Sequence, residues 1–405
     1  VGAGGNYSTL GAFANALNSQ GMSGNTTVYI ISNIEETNDV VINQWTEIGS
    51  GGYYLTIKPN GANRTIQGNC PSSAVIVLNG ADRVIIDGEY NTGERNLTIK
   101  NTSIGGYNAA IYVKGLNNGQ QGCNNVTIKN TNIIGSYSNW ENSGNYGIYS
   151  ASGDFISSIW GVGADNDNLT IQNNSIKKAY TGIFVKGLFS GNNRLDSLKI
   201  EGNSIGSDNM NEYICGYGIN VDYVRAPNIS GNDIFNIVVG CGINLQYAQA
   251  STISKNHIFN IGSYSEYDSP IGINVLESCG ASLISCNTIH NIKTSIGWVG
   301  AYGINIGNYF SYDGGNNDIK IINNVIYNIR TANYTWMSYE TNPFGIRLCD
   351  GTGHQILFNS INLYGEQNEG QSASMTACLI SVSENINQLD IRNNVFSNSL
   401  TGNEG

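Results

Sequence analysis

Isoleucine recurs along this chain in one polar frame, Ile-x-x-Asn-x-Ile. The frame occurs at Ile171/Asn174/Ile176, Ile200/Asn203/Ile205, Ile229/Asn232/Ile234, Ile253/Asn256/Ile258, Ile284/Asn287/Ile289, Ile321/Asn324/Ile326 and Ile356/Asn359/Ile361, and closes with Phe at Ile391/Asn394/Phe396. Two earlier copies, Ile99/Thr102/Ile104 and Ile128/Thr131/Ile133, carry Thr in the Asn slot. A second phrase, Gly-Ile-x-apolar, lies between consecutive copies, as in Gly182-Ile183-Phe184-Val185, Gly242-Ile243-Asn244-Leu245 and Gly303-Ile304-Asn305-Ile306. Both phrases are short, β-branched, alternating runs bounded by Gly and Asn. That is the period of a strand, and no unit carries a helical stripe.

Successive anchor isoleucines stand 24 to 43 residues apart, a repeat length that belongs to solenoids, propellers or arrays. The step from anchor to closing isoleucine is always 5 residues, while the remainder of each unit varies. One tight corner and two that accept insertions predict an all-β chain, a right-handed parallel β-helix of roughly 12 coils. The asparagines Asn174, Asn203, Asn232, Asn256, Asn287, Asn324, Asn359 and Asn394 are assigned to the tight corner, where Asn tolerates the left-handed backbone. Stacked about 4.8 Å apart, their amides would form a structural ladder. A second row, Asn236, Asn260, Asn291, Asn328 and Asn398, follows four residues later.

Residues 1–26 read as an N-terminal turn and capping helix, with Leu10, Phe13, Ala14 and Leu17 at helical spacing after Ser8 or Thr9 as N-cap. Residues 27–405 read as the β-helix, irregular over 27–96 and regular over 97–400. The segment Thr401–Gly405 follows a full repeat directly, so that end is expected to be covered by a further domain or by another copy.

A net charge of −11, with only 12% charged residues, excludes a basic stripe for nucleic acid. No apolar run is long enough to span a membrane. Eight cysteines include no CxxC pair; Cys215 with Cys241, and Cys349 with Cys378, stand where neighbouring coils could be bridged. The polar, Tyr-rich, Lys-poor composition points to an extracellular or cell-surface protein.

The opening Val1-Gly2-x-Gly4-Gly5-x-Tyr7-x-Thr9-Leu10, with Ala12 and Phe13, is similar to the N-terminal turn and helix of pectin methylesterases. With phrases such as Leu78-Asn79-Gly80-Ala81-Asp82-Arg83-Val84-Ile85-Ile86-Asp87-Gly88, the chain resembles the pectate-lyase-like superfamily, in the form found in secreted proteins of Bacteroidetes-like bacteria. That resemblance implies the fold and leaves the activity open. The hydrolase phrases of the superfamily are missing: Gly353-His354 is followed by Gln355, and Arg347-Leu348 precedes it. Arg347, with Asp350 and His354, is the nearest approach to a catalytic set. Asp165 and Asp167 are the nearest approach to a metal site, with calcium as the ion they could hold; otherwise no cofactor is implied.

The outward position of the Gly-Ile strand reads, in coil order, Tyr112, Tyr149, Phe184, Asn220, Asn244, Asn274, Asn305 and Arg347. This row is expected to lie in solvent, flanked by loops carrying Trp298 and Trp336, and to suit glycan binding, since rings stack on sugars and amides meet hydroxyls. The sequence therefore points to a non-catalytic structural or adhesive β-helix, self-associating end to end into a filament or forming part of a larger surface protein. The alternative is a polysaccharide-binding module, or a lyase or hydrolase acting on acidic glycans along that row.

Overall fold

The computed structural model describes residues 1–137, 144–156, 161–189, 194–265, 267–295, 299–308, 315–331, 341–367, 376–384 and 386–402. Its chain forms two compact units, the first Val1–Glu212 with Tyr223–Arg225, the second Tyr213–Asp222 with Ala226–Gly405.

In the first unit each coil contributes three short strands. First strands run Thr26–Ile30, Leu55–Pro59, Val84–Asp87, Thr127–Lys129, Thr170–Gln172 and Lys199–Glu201, every adjacent pair parallel. Second strands begin with Ile34–Glu36, Arg64–Gly68 and Leu97–Asn101, and third strands with Val40–Asn43, Ala74–Asn79 and Asn108–Gly115. The second unit repeats this plan, with first strands from Asn228–Ser230 to Asp390–Arg392, second strands from Asp233–Ile237 to Val395–Gly402, and third strands from Ile214–Asp222 to Ala377–Ser381. Each unit is a parallel β-helix. Its interior is a set of isoleucine columns: in the second unit Ile253, Ile284, Ile321 and Ile356 align on first strands, and Ile258, Ile289, Ile326 and Ile361 on second strands, all essentially without exposure. Each fully buried isoleucine contributes roughly 1.5–3 kcal/mol.

The register corrects the first copy of the repeat. Leu97–Asn101 pairs with Thr131–Ile134, so Ile99 stands in the column of closing isoleucines beside Ile133. Ile86, not Ile99, aligns with the anchor Ile128. Ile104, taken from the sequence as a closing isoleucine, is 87% exposed.

The tight corner is also displaced by one residue. The left-handed backbone belongs to the residue before each ladder asparagine, Asn173, Gly202, Gly231, Lys255, Cys286, Asn323, Phe358 and Asn393, with φ of 51° to 64°. The ladder asparagines are buried for a different reason. Asn287 Oδ1 accepts both the backbone N–H (2.9 Å) and the Nδ2–H (3.0 Å) of Asn256. Its own Nδ2 donates to Asn324 Oδ1 (2.9 Å) and to the Ile253 carbonyl (3.0 Å). The same bonds link Asn232 to Asn256, Asn324 to Asn359 and Asn359 to Asn394, and in the first unit Asn174 to Asn203. The second asparagine row is the one that uses the residue's tolerance of the left-handed region: Asn236, Asn260, Asn291 and Asn328 have φ of 54° to 56°.

The helix Leu10–Gln20 begins at Thr9, whose Oγ1 accepts the Ala12 N–H at 3.1 Å. Leu10, Ala14 and Leu17 are buried. Asn18 serves the edge of strand Val40–Asn43 as a neighbouring strand would, its Nδ2 donating to the Val41 carbonyl (2.9 Å) and its Oδ1 accepting from the Asn43 N–H (3.0 Å). Glu36 Oε1 accepts the Leu10 N–H at 2.6 Å.

The Gly-Ile glycines follow from close approach. A Cβ on Gly272 would lie 2.5 Å from Ile289 Cγ2 and 2.6 Å from the Gly303 carbonyl oxygen, and one on Gly303 would be equally crowded by Ile326 and Gly345. Only glycine lets the third strand pass this near the closing isoleucine.

Candidate functional site

The Gly-Ile row expected in solvent is buried throughout. In the first unit Tyr112, Tyr149 and Phe184 are at most 2% exposed and pack with Tyr146, Val77 and Ile156. The Tyr149 and Phe184 rings stack 5.1 Å apart, and the Tyr112 hydroxyl donates to the Gly153 carbonyl at 2.9 Å. Tyr146 and Tyr149, three positions apart, meet at 4.7 Å. In the second unit Asn220, Asn244, Asn274 and Asn305 are buried and their amides are used on one another: Asn244 donates to Asn220 (3.0 Å), Asn274 to Asn244 (2.8 Å) and Asn305 to Asn274 (2.9 Å). These residues are interior packing and a third amide ladder, closed to a glycan. Alternation fixes the side from which a residue leaves its strand, and says nothing of what then covers it. Trp298 and Trp336 lie outside the described residues.

Arg347 does not bond to Asp350 or His354, which meet each other through the Asp350 backbone carbonyl. Arg347 is buried, donates from Nη1 to Asn305 Oδ1 (3.1 Å) and lies 4.8 Å over the Tyr302 ring. The Asp350 carboxylate accepts from Asn316 Nδ2 at 3.2 Å. His354 is buried, within hydrogen-bond distance of the Asp350 carbonyl (2.8 Å), and burial lowers its pKa.

Asp165 and Asp167 sit on the first unit with Asp196. Burial first, and then the neighbouring carboxylates Asp167 and Asp196, push Asp165 up to about 6. Asp167 has a structural duty: its Oδ1 accepts the Asp196 N–H (2.6 Å), while its own N–H donates to Asn124 Oδ1 (3.0 Å), and Asn124 is bound in turn to Asp82. Among the described residues no three His, Cys, Asp or Glu side chains gather as metal ligands, and no disulfide joins the cysteines. Burial pushes the thiols of Cys123, Cys241 and Cys279 up to about 12, so they stay protonated and unreactive at neutral pH.

The open aromatic row lies instead on the second strands of the second unit. Phe235, Phe259, His290 and Tyr327 align in register and stack as near-parallel rings 5.3, 5.3 and 4.5 Å apart. All four are half-buried. His257 flanks them, with Nδ1 2.9 Å from Asp233 Oδ1 and Nε2 2.9 Å from His290 Nε2. Burial, then the charge of His257, lowers the His290 pKa.

The stack ends at Tyr327. Its partner in the next coil is Asn362, which brings no ring, so one face of the phenol is left open. Beyond it is a groove of about 530 Å³ lined by Val325, Tyr327, Ser360, Asn362, Tyr364, Val395 and Ser397. Unlike the amides of the buried ladder, the side chains of Asn362, Ser360 and Ser397 donate to no described protein group. The groove thus offers an open ring face, an amide and two hydroxyls. The sequence held a signal for it, the repeated Ile-aromatic-Asn-Ile of Ile234-Phe235-Asn236-Ile237, Ile258-Phe259-Asn260-Ile261, Ile289-His290-Asn291-Ile292 and Ile326-Tyr327-Asn328-Ile329.

No family model and no curated protein matches the chain. Solved structures match it in fold. The Dettilon tailspike protein aligns with 97% of this chain and 64% of its own, at 10% identity and a TM-score of 0.54. Lacto-N-biosidase from Eubacterium ramulus aligns with 98% of this chain and 64% of its own, at 12% identity and 0.51. DFA-IIIase from Arthrobacter chlorophenolicus, in complex with DFA-III, aligns with 98% of this chain and 96% of its own, at 13% identity and 0.54. The chain therefore spans somewhat under two thirds of the first two. At these identities the likeness establishes the parallel β-helix and no activity.

Proposed function

We propose that this chain is an extracellular, non-catalytic β-helix that holds a saccharide in the Tyr327–Asn362 groove of its second unit. The observation that carries the reading is the contrast between two sets of asparagines: those of the Gly-Ile row are consumed by one another, whereas Asn362 keeps its amide beside an open tyrosine face. A pyranose presents an apolar C–H face and a rim of hydroxyls, which these groups complement. The non-catalytic reading rests on Arg347, which is buried against Asn305 and Tyr302 and does not bond to Asp350 or His354. Binding to a glycan array should fall about tenfold in Tyr327→Ala and in Asn362→Ala, a change of about 1.4 kcal/mol. Unchanged binding in both removes the groove. Turnover of a bound polysaccharide that is lost in Arg347→Ala would overturn the non-catalytic reading.

A second reading has its own observation. In the coil bearing Asp390–Gly402, Ile391, Val395 and Phe396 are 45%, 64% and 41% exposed, whereas Ile356 and Ile361 one coil earlier are buried. This favours stacking of another copy of the chain on that coil. Sedimentation velocity at rising concentration separates a monomer from an assembling species.

A further inference from the structure

The row next to the groove carries two cations that no described residue neutralises. Lys293 and Arg330 face each other across adjacent second strands. Among the described residues neither meets a carboxylate, in a chain with 30 acidic and 19 basic residues. Only burial and the charge of Arg330 act on Lys293, and both lower its pKa. A like-charged pair directly opposite in a sheet is unfavourable, so its presence calls for a counter-charge from elsewhere.

Arg330 is also held in place. Its Nε donates to Asn328 Oδ1 at 2.6 Å. Its guanidinium carbon lies 6.0 Å over the ring of Tyr364, which lines the groove. It rests against Gly365, where φ is +98° and a Cβ would stand 2.6 Å from that carbon. Asn328, Tyr364 and Gly365 therefore fix the plane of the fork, and Nη1 and Nη2 donate to no described group. A planar pair of donors matches a carboxylate or sulfate bidentately.

We infer that Lys293 and Arg330 form an anion-binding site that takes the carboxylate or sulfate of an acidic saccharide whose neighbouring ring lies in the Tyr327–Asn362 groove. The inference rests on the groove reading and adds the ligand class. Tyr364 joins the two parts, lining the groove and supporting the guanidinium.

The test uses the whole chain and two matched pairs of polymers: polygalacturonate against its fully methyl-esterified form, and dextran sulfate against dextran. The wild type should bind one charged member at least tenfold more tightly than its neutral twin, and which pair shows this identifies the anion. The preference should disappear in Arg330→Gln, shrink several-fold in Lys293→Gln and weaken between 0.05 and 0.5 M salt. Lys293→Gln should not melt below the wild type, since it relieves repulsion. Equal affinity for charged and neutral twins, no binding to any of the four polymers, or a preference that survives Arg330→Gln would overturn the inference. A preference lost in Arg330→Gln but kept in Tyr327→Ala would uphold the anion site and remove the groove. Binding to a neutral polymer lost in Tyr327→Ala and untouched by Arg330→Gln would do the reverse.

Discussion

Two rows on the second unit use similar chemistry to opposite ends. On the third strands Asn220, Asn244, Asn274 and Asn305 stack coil over coil, and each amide donates to the one before it. On the second strands Phe235, Phe259, His290 and Tyr327 stack at the same repeat, half in solvent. The first row is closed because its amides bond one another, and Arg347 donates to the last of them. The second is open because its repeat is broken: after Tyr327 the ring is replaced by Asn362, and among the described residues no ring meets that face of the tyrosine and no group accepts from the amide. Repetition satisfies polar groups in this fold, and the proposed saccharide groove lies where repetition stops.

The comparison can be broken by substitutions of very different weight. The largest expected effect is Gly303→Ala on the closed side. Its Cβ would be within 2.6 Å of both Ile326 Cγ2 and the Gly345 carbonyl, and overpacking of this kind should cost about 3 kcal/mol, read as a shift in the chemical-denaturation midpoint. Next is Asn244→Ala, which strips Asn274 Nδ2 of its acceptor and Asn220 Oδ1 of its donor. It should destabilise by about 1–3 kcal/mol while leaving saccharide binding unchanged; loss of binding without loss of stability would mean that the closed row is not closed. The smallest effect concerns His290 on the open side. Its pKa is lowered in the folded chain, so the folded state resists a proton that the unfolded state accepts. The resulting stability is present above the unfolded value near 6.5 and is lost as pH falls through the folded value. His290→Phe, which continues the stack with a ring that cannot titrate, should narrow the difference in melting temperature between pH 7.5 and 5.

Much of this architecture was legible in the residues. The isoleucine frame predicted parallel coils, and the invariant five-residue step located the tight corner. The corner was nevertheless displaced by one position, because Asn has two reasons to recur in a solenoid. Asn291 is chosen for its backbone, with φ of 56°, and Asn287 for its amide; both read as Asn in a repeat. Ile99 was misaligned because Thr102 imitates the slot of Thr131, and only strand pairing shows that Ile99 belongs beside Ile133. The site was misplaced for a more general reason. Tyr149 and Asn274 leave their strands on the outer side, and strand period cannot report that further chain lies over them. Tyr327, by contrast, follows a closing isoleucine and was passed over as an ordinary strand residue.

The asparagine ladder has a consequence for how such a chain can change. Asn232, Asn256, Asn287, Asn324, Asn359 and Asn394 are separated by 24, 31, 37, 35 and 35 residues, yet the Nδ2–Oδ1 bonds joining them all measure 2.9 or 3.0 Å. Because every rung is its own complement, the spine does not register how much polypeptide was spent between rungs. Excursions can lengthen, shorten or be exchanged between relatives without renegotiating the interior. Recombination at the asparagines would keep the hybrid in register, which makes the fold a fixed spindle on which interchangeable surface segments can be tried.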